Sequence, residues 1–180
     1  AKKYKGNILD IAGFNGLSPD EPLAAGTTLF IPDGEMPWVP STQPSAPSSK
    51  AFAGLPSYAG YYIRPIEGGI KTQGIHGYNG VDLASACGAP IFASAGGTVI
   101  ISKKGTGWNG GYGNYVVISH PNGTQTLYAH NGEIYVRVGE QVSQGQLIAT
   151  VGNTGNTTVK YSGKTGCHVH FEVRGAKNPW

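Results

Sequence analysis

The chain reads as a mainly β protein, an antiparallel sheet or sandwich, with a small and incomplete α/β piece at its N-terminus. Three observations predict this. Glycine and proline are frequent, 29 and 12 of 180 residues, which favours turns over long helices. From residue 90 onward, short runs of β-branched and aromatic residues alternate with glycine-rich turns. Before residue 57 the pattern differs, first helical in spacing and then proline-rich.

Residues 1–33 form the first unit. Ala1-Lys-Lys-Tyr-Lys reads as a helix end. Ile8, Leu9, Ile11 and Ala12 recur at helical spacing until Gly13 and the turn pair Asn15-Gly16 close the segment. Thr27-Thr-Leu-Phe-Ile-Pro reads as a short strand ended by Pro32. Residues 34–56 read as a linker. Pro37, Pro40, Pro44, Pro47 and Pro56 remove backbone donors, and the Ser, Thr and Ala between them supply no core. Trp38 lies inside it, and a lone linker aromatic usually stays undocked.

Residues 57–180 form the main domain. Pro90–Ala95 and Gly97–Ser102 are the first expected strands. Asn114–His120 and Thr124–His130 flank the turn Pro121-Asn-Gly and predict a hairpin. Gln141-Val142, Gln146–Val151 and His168–Val173 complete the set. His120 is expected at an exposed strand end, Asn114 and Tyr115 either line a cleft or have ordinary sheet roles, and Arg64 and Glu172 are expected to be structural.

Only 13% of residues are charged and the net charge is +3, with no basic cluster beyond Lys2-Lys3 and Lys103-Lys104. This argues against a nucleic-acid partner. No apolar run approaches the length of a membrane span. The chain opens at Ala1 in mid-pattern, without an initiating Met or signal segment, as expected of a piece whose N-terminus has been cut. Its localisation therefore has to follow from function.

The chemistry concentrates in three places. His168 and His170 flank Val169 on a strand pattern, and alternation puts both on one face. His130 closes Leu127-Tyr-Ala-His, and His76 and Asp82 sit in Gly74-Ile-His-Gly-Tyr-Asn-Gly-Val-Asp. A catalytic zinc takes three protein ligands and keeps one position open. His76, Asp82 and one of the paired histidines match that count. The other paired histidine and His130 remain for proton transfer and oxyanion stabilisation. No Ser/His/Asp arrangement stands out, and neither cysteine has the context of a nucleophile. The turns Val138-Gly-Glu-Gln-Val and Gly145-Gln-Leu-Ile also occur in carrier domains, but no lysine occupies a hairpin turn here and the paired histidines would have no purpose.

From about Tyr62 to Arg174 the chain resembles the zinc-dependent peptidoglycan endopeptidases of the lysostaphin and LytM type. The resemblance lies in Gly80-Val-Asp-Leu-Ala, Gly88–Val99, Gly113–His120, Leu127-Tyr-Ala-His, Val138-Gly-Glu-Gln-Val, Gly145–Gly155 and His168–Arg174. It implies Asp82 and His170 as zinc ligands and His168 and His130 as the catalytic pair. One departure stands out: where the family has a ligand His four residues before the Asp, this chain has Tyr78, and His76 is six before Asp82. A bulge through Gly77-Tyr-Asn-Gly80 would return His76 to the metal. Without it the site keeps only Asp82 and His170, with Tyr78 a poor substitute. Residues 1–33 resemble the second half of a LysM module, which implies binding to wall glycan.

The resemblances imply a secreted or cell-envelope peptidoglycan endopeptidase, working through zinc on stem peptides or cross-bridges and expected to be monomeric. The alternative is a degenerate peptidase domain that binds the wall or regulates a partner hydrolase. If Asp82 and His170 reach one ion, Cys87 and Cys167 come close, and both a disulfide and two buried thiols remain open.

Overall fold

The computed structural model describes residues 8–15, 17, 22–23, 29, 52, 54–105, 108–157 and 165–180. The chain divides into two compact units, Ala1–Gln43 and Pro44–Trp180. In the first, helix α1 spans Ile8–Phe14, with Ile11 and Ala12 buried and Ile8 and Leu9 exposed. The helix passes through Gly13, one residue beyond the expected stop, and Asn15 ends it. The Asn15 backbone N–H and its side-chain amide both donate to the Ile11 carbonyl, at 3.1 and 2.6 Å. The expected helix end at residues 1–5, the strand at 27–32 apart from Leu29, Trp38 and most of the 34–56 linker lie outside the described residues.

The second unit is built from antiparallel strands. They are β1 (Ile70–His76), β2 (Gly80–Ala84), β3 (Pro90–Phe92), β4 (Gly97–Lys103), β5 (Tyr115–Ser119), β6 (Gln125–Ala129), β7 (Asn131–Ile134), β8 (Gln141–Val142), β9 (Leu147–Val151) and β10 (His168–Arg174). One sheet has the order β1-β2-β10-β6-β5-β4-β8 and the other β3-β9-β7. The expected hairpin across Pro121-Asn-Gly is β5–β6, with Val116 opposite Tyr128. β1, β2 and β7 fall where the sequence names no strand. β1 is exposed along most of its length, so it carries no alternating apolar signal.

β10 organises the larger sheet because it is buried on both faces. Val169, Phe171 and Val173 enter the core with Val81 and Leu83 of β2 and Tyr128 of β6. His168, His170 and Glu172 take the opposite face, as alternation requires. His170 stands directly across from Asp82 on β2 and from Ala129 on β6.

One sequence expectation is corrected here, that for His120, and the alternatives for Asn114 and Tyr115 are decided. His120 is buried, 4% exposed. Its Nδ1–H donates to the Gly96 carbonyl, and Nε2 lies 2.9 Å from the Thr126 hydroxyl. Tyr61 and Tyr62 pack against its ring, which a strand-end position does not reveal. Tyr115 is in the core rather than in a cleft. Asn114 is also buried, accepting from the Gly105 N–H and donating to the Gly132 carbonyl, so it ties loops together. Of the two states left open for the cysteines, the structure has the disulfide Cys87–Cys167, which joins the chain just after β2 to the start of β10.

Candidate metal centre

Two hairpin strands and β10 bring the site together. β1 and β2 are joined by Gly77-Tyr78-Asn79, and their register shifts twice, so that Gln73 faces Asp82 while His76 faces Gly80. These irregularities absorb the six-residue interval between His76 and Asp82. Gly77 and Asn79 both adopt positive φ, 51° and 64°. Asn79 tolerates this because its side-chain amide is buried and donates to the carbonyls of Val173 and Ala176 at 2.6 and 2.7 Å. The turn is thereby tied to the end of β10.

His76 Nε2 lies 3.4 Å from Asp82 Oδ1, and His170 Nδ1 lies 2.9 Å from the same oxygen. One ligand atom from each of the three residues falls within 4.8 Å of the others. Tetrahedral zinc with bonds of 2.0–2.2 Å separates its ligand atoms by about 3.3–3.6 Å, near the two distances to Asp82. The outer ring nitrogens are placed for metal-binding tautomers. His76 Nδ1 is 2.7 Å from the Gly74 carbonyl, and a proton there would free the Nε2 lone pair for an ion. His170 Nε2 is 3.1 Å from Glu172 Oε1, and a proton there would free Nδ1 for the same ion. Metal-binding imidazoles characteristically donate their other N–H in this way. Two nitrogens and a carboxylate oxygen are a donor set that suits zinc. Tyr78, the residue four before Asp82, is 51% exposed on the cleft wall.

The charges follow from burial and contact. Burial alone would raise the Asp82 pKa, but hydrogen bonds from His170 and His76 outweigh it and hold the carboxyl well below the usual range. His76 is raised, chiefly by its hydrogen bond with Asp82. Burial opposes charge on His170, yet bonds to Asp82 and Glu172 raise it to about 9. Glu172 is buried too, but Arg174 and His170 bring it down to about 2.

His130 and His168 stand beside this cluster with ring centroids 4.6 Å apart. His168 Nδ1–H donates to the Gly166 carbonyl at 2.8 Å, and its Nε2 is 3.9 Å from Asp82 Oδ1. His130 Nδ1–H donates to the Thr154 carbonyl at 2.8 Å. Its backbone has φ 61°, and its N–H donates to the Tyr112 carbonyl. Burial, with the neighbouring His168, lowers its pKa to about 4. All five residues expected at the site therefore line one cleft, of about 980 Å³. The sequence reading leaves out Tyr112 and Gly80 and treats Glu172 as structural. Glu172 has the same strand parity as His170, the one signal that places it at the site; Tyr112 comes from a distant loop and has no such signal.

A histidine- and carboxylate-bearing face on a largely antiparallel β domain fits the peptidase class. Residues 76–180, more than half of the chain, match peptidase family M23, and the chain belongs to that family. It is 40% identical over 103 residues to the peptidoglycan DD-endopeptidase ShyA of Vibrio cholerae, covering 57% of this chain and 21% of that protein. It is 32% identical over 155 residues to the murein hydrolase activator NlpD of Salmonella typhimurium, covering 83% of this chain and 36% of that protein. The chain thus spans well under half the length of either relative. A crystal structure from Pseudomonas aeruginosa assigned to peptidase M23 superposes with a TM-score of 0.53 at 31% identity, over 67% of this chain and 47% of that one. Among the described residues, no helix is long and apolar enough to cross a membrane.

Proposed function

We propose that the domain is a zinc-dependent peptidoglycan endopeptidase of the cell envelope. The observation that carries this is the convergence of His76, Asp82 and His170 beside two further imidazoles in one cleft. His76 Nε2, Asp82 Oδ1 and His170 Nδ1 would hold the zinc. Zinc in such a setting polarises a scissile carbonyl and lowers the pKa of water.

The remaining work falls to the two flanking histidines. His168 presents Nε2 to the cleft beside Asp82, with its Nδ1–H held by the Gly166 carbonyl. It therefore takes the proton from water and passes it to the leaving amine. His130 rests neutral, with its proton on Nδ1. It donates to the oxyanion once Nε2 has taken up a proton from solvent, when developing negative charge offsets the burial that opposes its own charge. Close approach of the two rings disfavours both being charged together. In this reading residues 1–33 hold wall glycan, and residues 34–56 tether the peptidase near its substrate.

Purified peptidoglycan should release new amino groups with this protein, lose that activity with a chelator and regain it with zinc. His168→Ala should lower the rate by about 10²–10⁴-fold, the usual contribution of a general acid–base group. A folded, zinc-loaded protein that releases no amines from any wall type would sink the proposal. The likeness to the Salmonella activator favours a second reading, a wall-binding regulator of a partner hydrolase. A folded protein that takes up no zinc, and whose wall binding is unchanged by His170→Ala, would favour it.

A further inference from the structure

Glu172 follows His170 by two residues on the same face of β10, and its side chain is fully buried. A buried carboxylate persists only where its charge and lone pairs are compensated. Oε2 accepts from Arg174 Nε and Nη2, at 2.8 and 2.6 Å. Oε1 accepts from the Tyr112 hydroxyl at 2.5 Å and from His170 Nε2–H at 3.1 Å. The His170 ring is thus stretched between two carboxylates. Asp82, at Nδ1, belongs to the ligand cluster, and Glu172, at Nε2, lies outside it. A ring in this position can offer a lone pair at Nδ1 only if its proton is on Nε2.

We infer that Glu172, gripped by Arg174 and Tyr112, is a positioning residue for His170: it accepts the Nε2–H and turns the Nδ1 lone pair toward the metal. This rests on the metal-centre reading of His76, Asp82 and His170. Glu172 therefore contributes to metal affinity, and a role only as counter-ion to Arg174 would leave that affinity untouched.

The test compares the full 180-residue chain with Glu172→Gln, measuring zinc affinity by competition with a chromophoric chelator and the absorption spectrum of the cobalt-substituted protein. Glutamine keeps the shape, but one end of its amide is a donor, so it cannot accept from both Arg174 and His170. Loss of such an outer partner typically weakens metal binding by about 10–100-fold, and that loss with an altered cobalt spectrum is expected. A folded variant with lower thermal stability but unchanged zinc affinity overturns the inference. Should the variant fail to fold, imidazole ¹⁵N–¹H spectra of the zinc-loaded wild type decide. An exchange-protected Nε2 proton on His170 supports the inference, and a freely exchanging one overturns it. A wild-type chain that binds no zinc overturns the metal-centre reading itself, before any variant is made.

Discussion

At the scale of single residues, Gly80 shows how closely the site is packed. A Cβ at this position would lie 2.5 Å from His170 Cε1 and 2.7 Å from its Nε2. Either the imidazole or the β2 backbone would have to move. Gly80→Ala is expected to cost about 1–3 kcal/mol, the usual range for overpacking. It should also weaken zinc binding, because the ring that moves is the one at Asp82. Thermal unfolding and a zinc titration check this, and a variant unchanged in both would contradict it. The positions of His168 and His170 on one face were legible from alternation alone. Which nitrogen each ring offers was not. His76 and His168 each donate to a carbonyl two residues back, Gly74 and Gly166, whereas His130 depends on Thr154, a residue of another segment.

At the scale of elements, the disulfide and the β1–β2 hairpin matter most. Cys87–Cys167 closes a loop of sequence separation 80, with one end next to His168. Chain entropy alone assigns such a cross-link about 4.5 kcal/mol, and measured values often lie nearer 2–4 kcal/mol. Replacing both cysteines with serine should lower the unfolding free energy by that order, read from denaturant titration. Equal midpoints and slopes would contradict it. β4, β5, β6, β9 and β10 were legible in sequence because each is a short run of β-branched and aromatic residues bounded by turn signals, even where both faces are buried, as in β5, β6 and β10. β1 was illegible for the opposite reason: it lies at the sheet edge, mostly exposed, and takes its position from pairing with β2. The interval between His76 and Asp82 likewise makes sense only with the register shifts of that pairing.

At the scale of the whole molecule, the buried His120 couples the fold to pH. It follows the last residue of β5, with Tyr61 and Tyr62 against its ring. Burial holds its pKa below the ordinary 6.5. The unfolded chain therefore binds more protons as pH falls below 6.5, and stability declines as the pH drops toward the lower folded value. Above 6.5 this contribution is fully present. Melting temperature should fall more steeply on acidification for the wild type than for His120→Gln. Parallel curves for the two proteins would contradict this.

The sequence by itself determined the β character, the hairpin across Pro121-Asn-Gly and the shared face of His168 and His170, because each depends on local periodicity or turn chemistry. It named the residues of the candidate site through motifs whose spacing it could not interpret. Tertiary structure alone decided that His76, Asp82 and His170 meet, that Cys87 reaches Cys167, and that Glu172 and Gly80 frame the His170 ring. These are contacts between segments far apart in the chain. They follow from sheet order, register and close packing, which the sequence of any one strand does not encode.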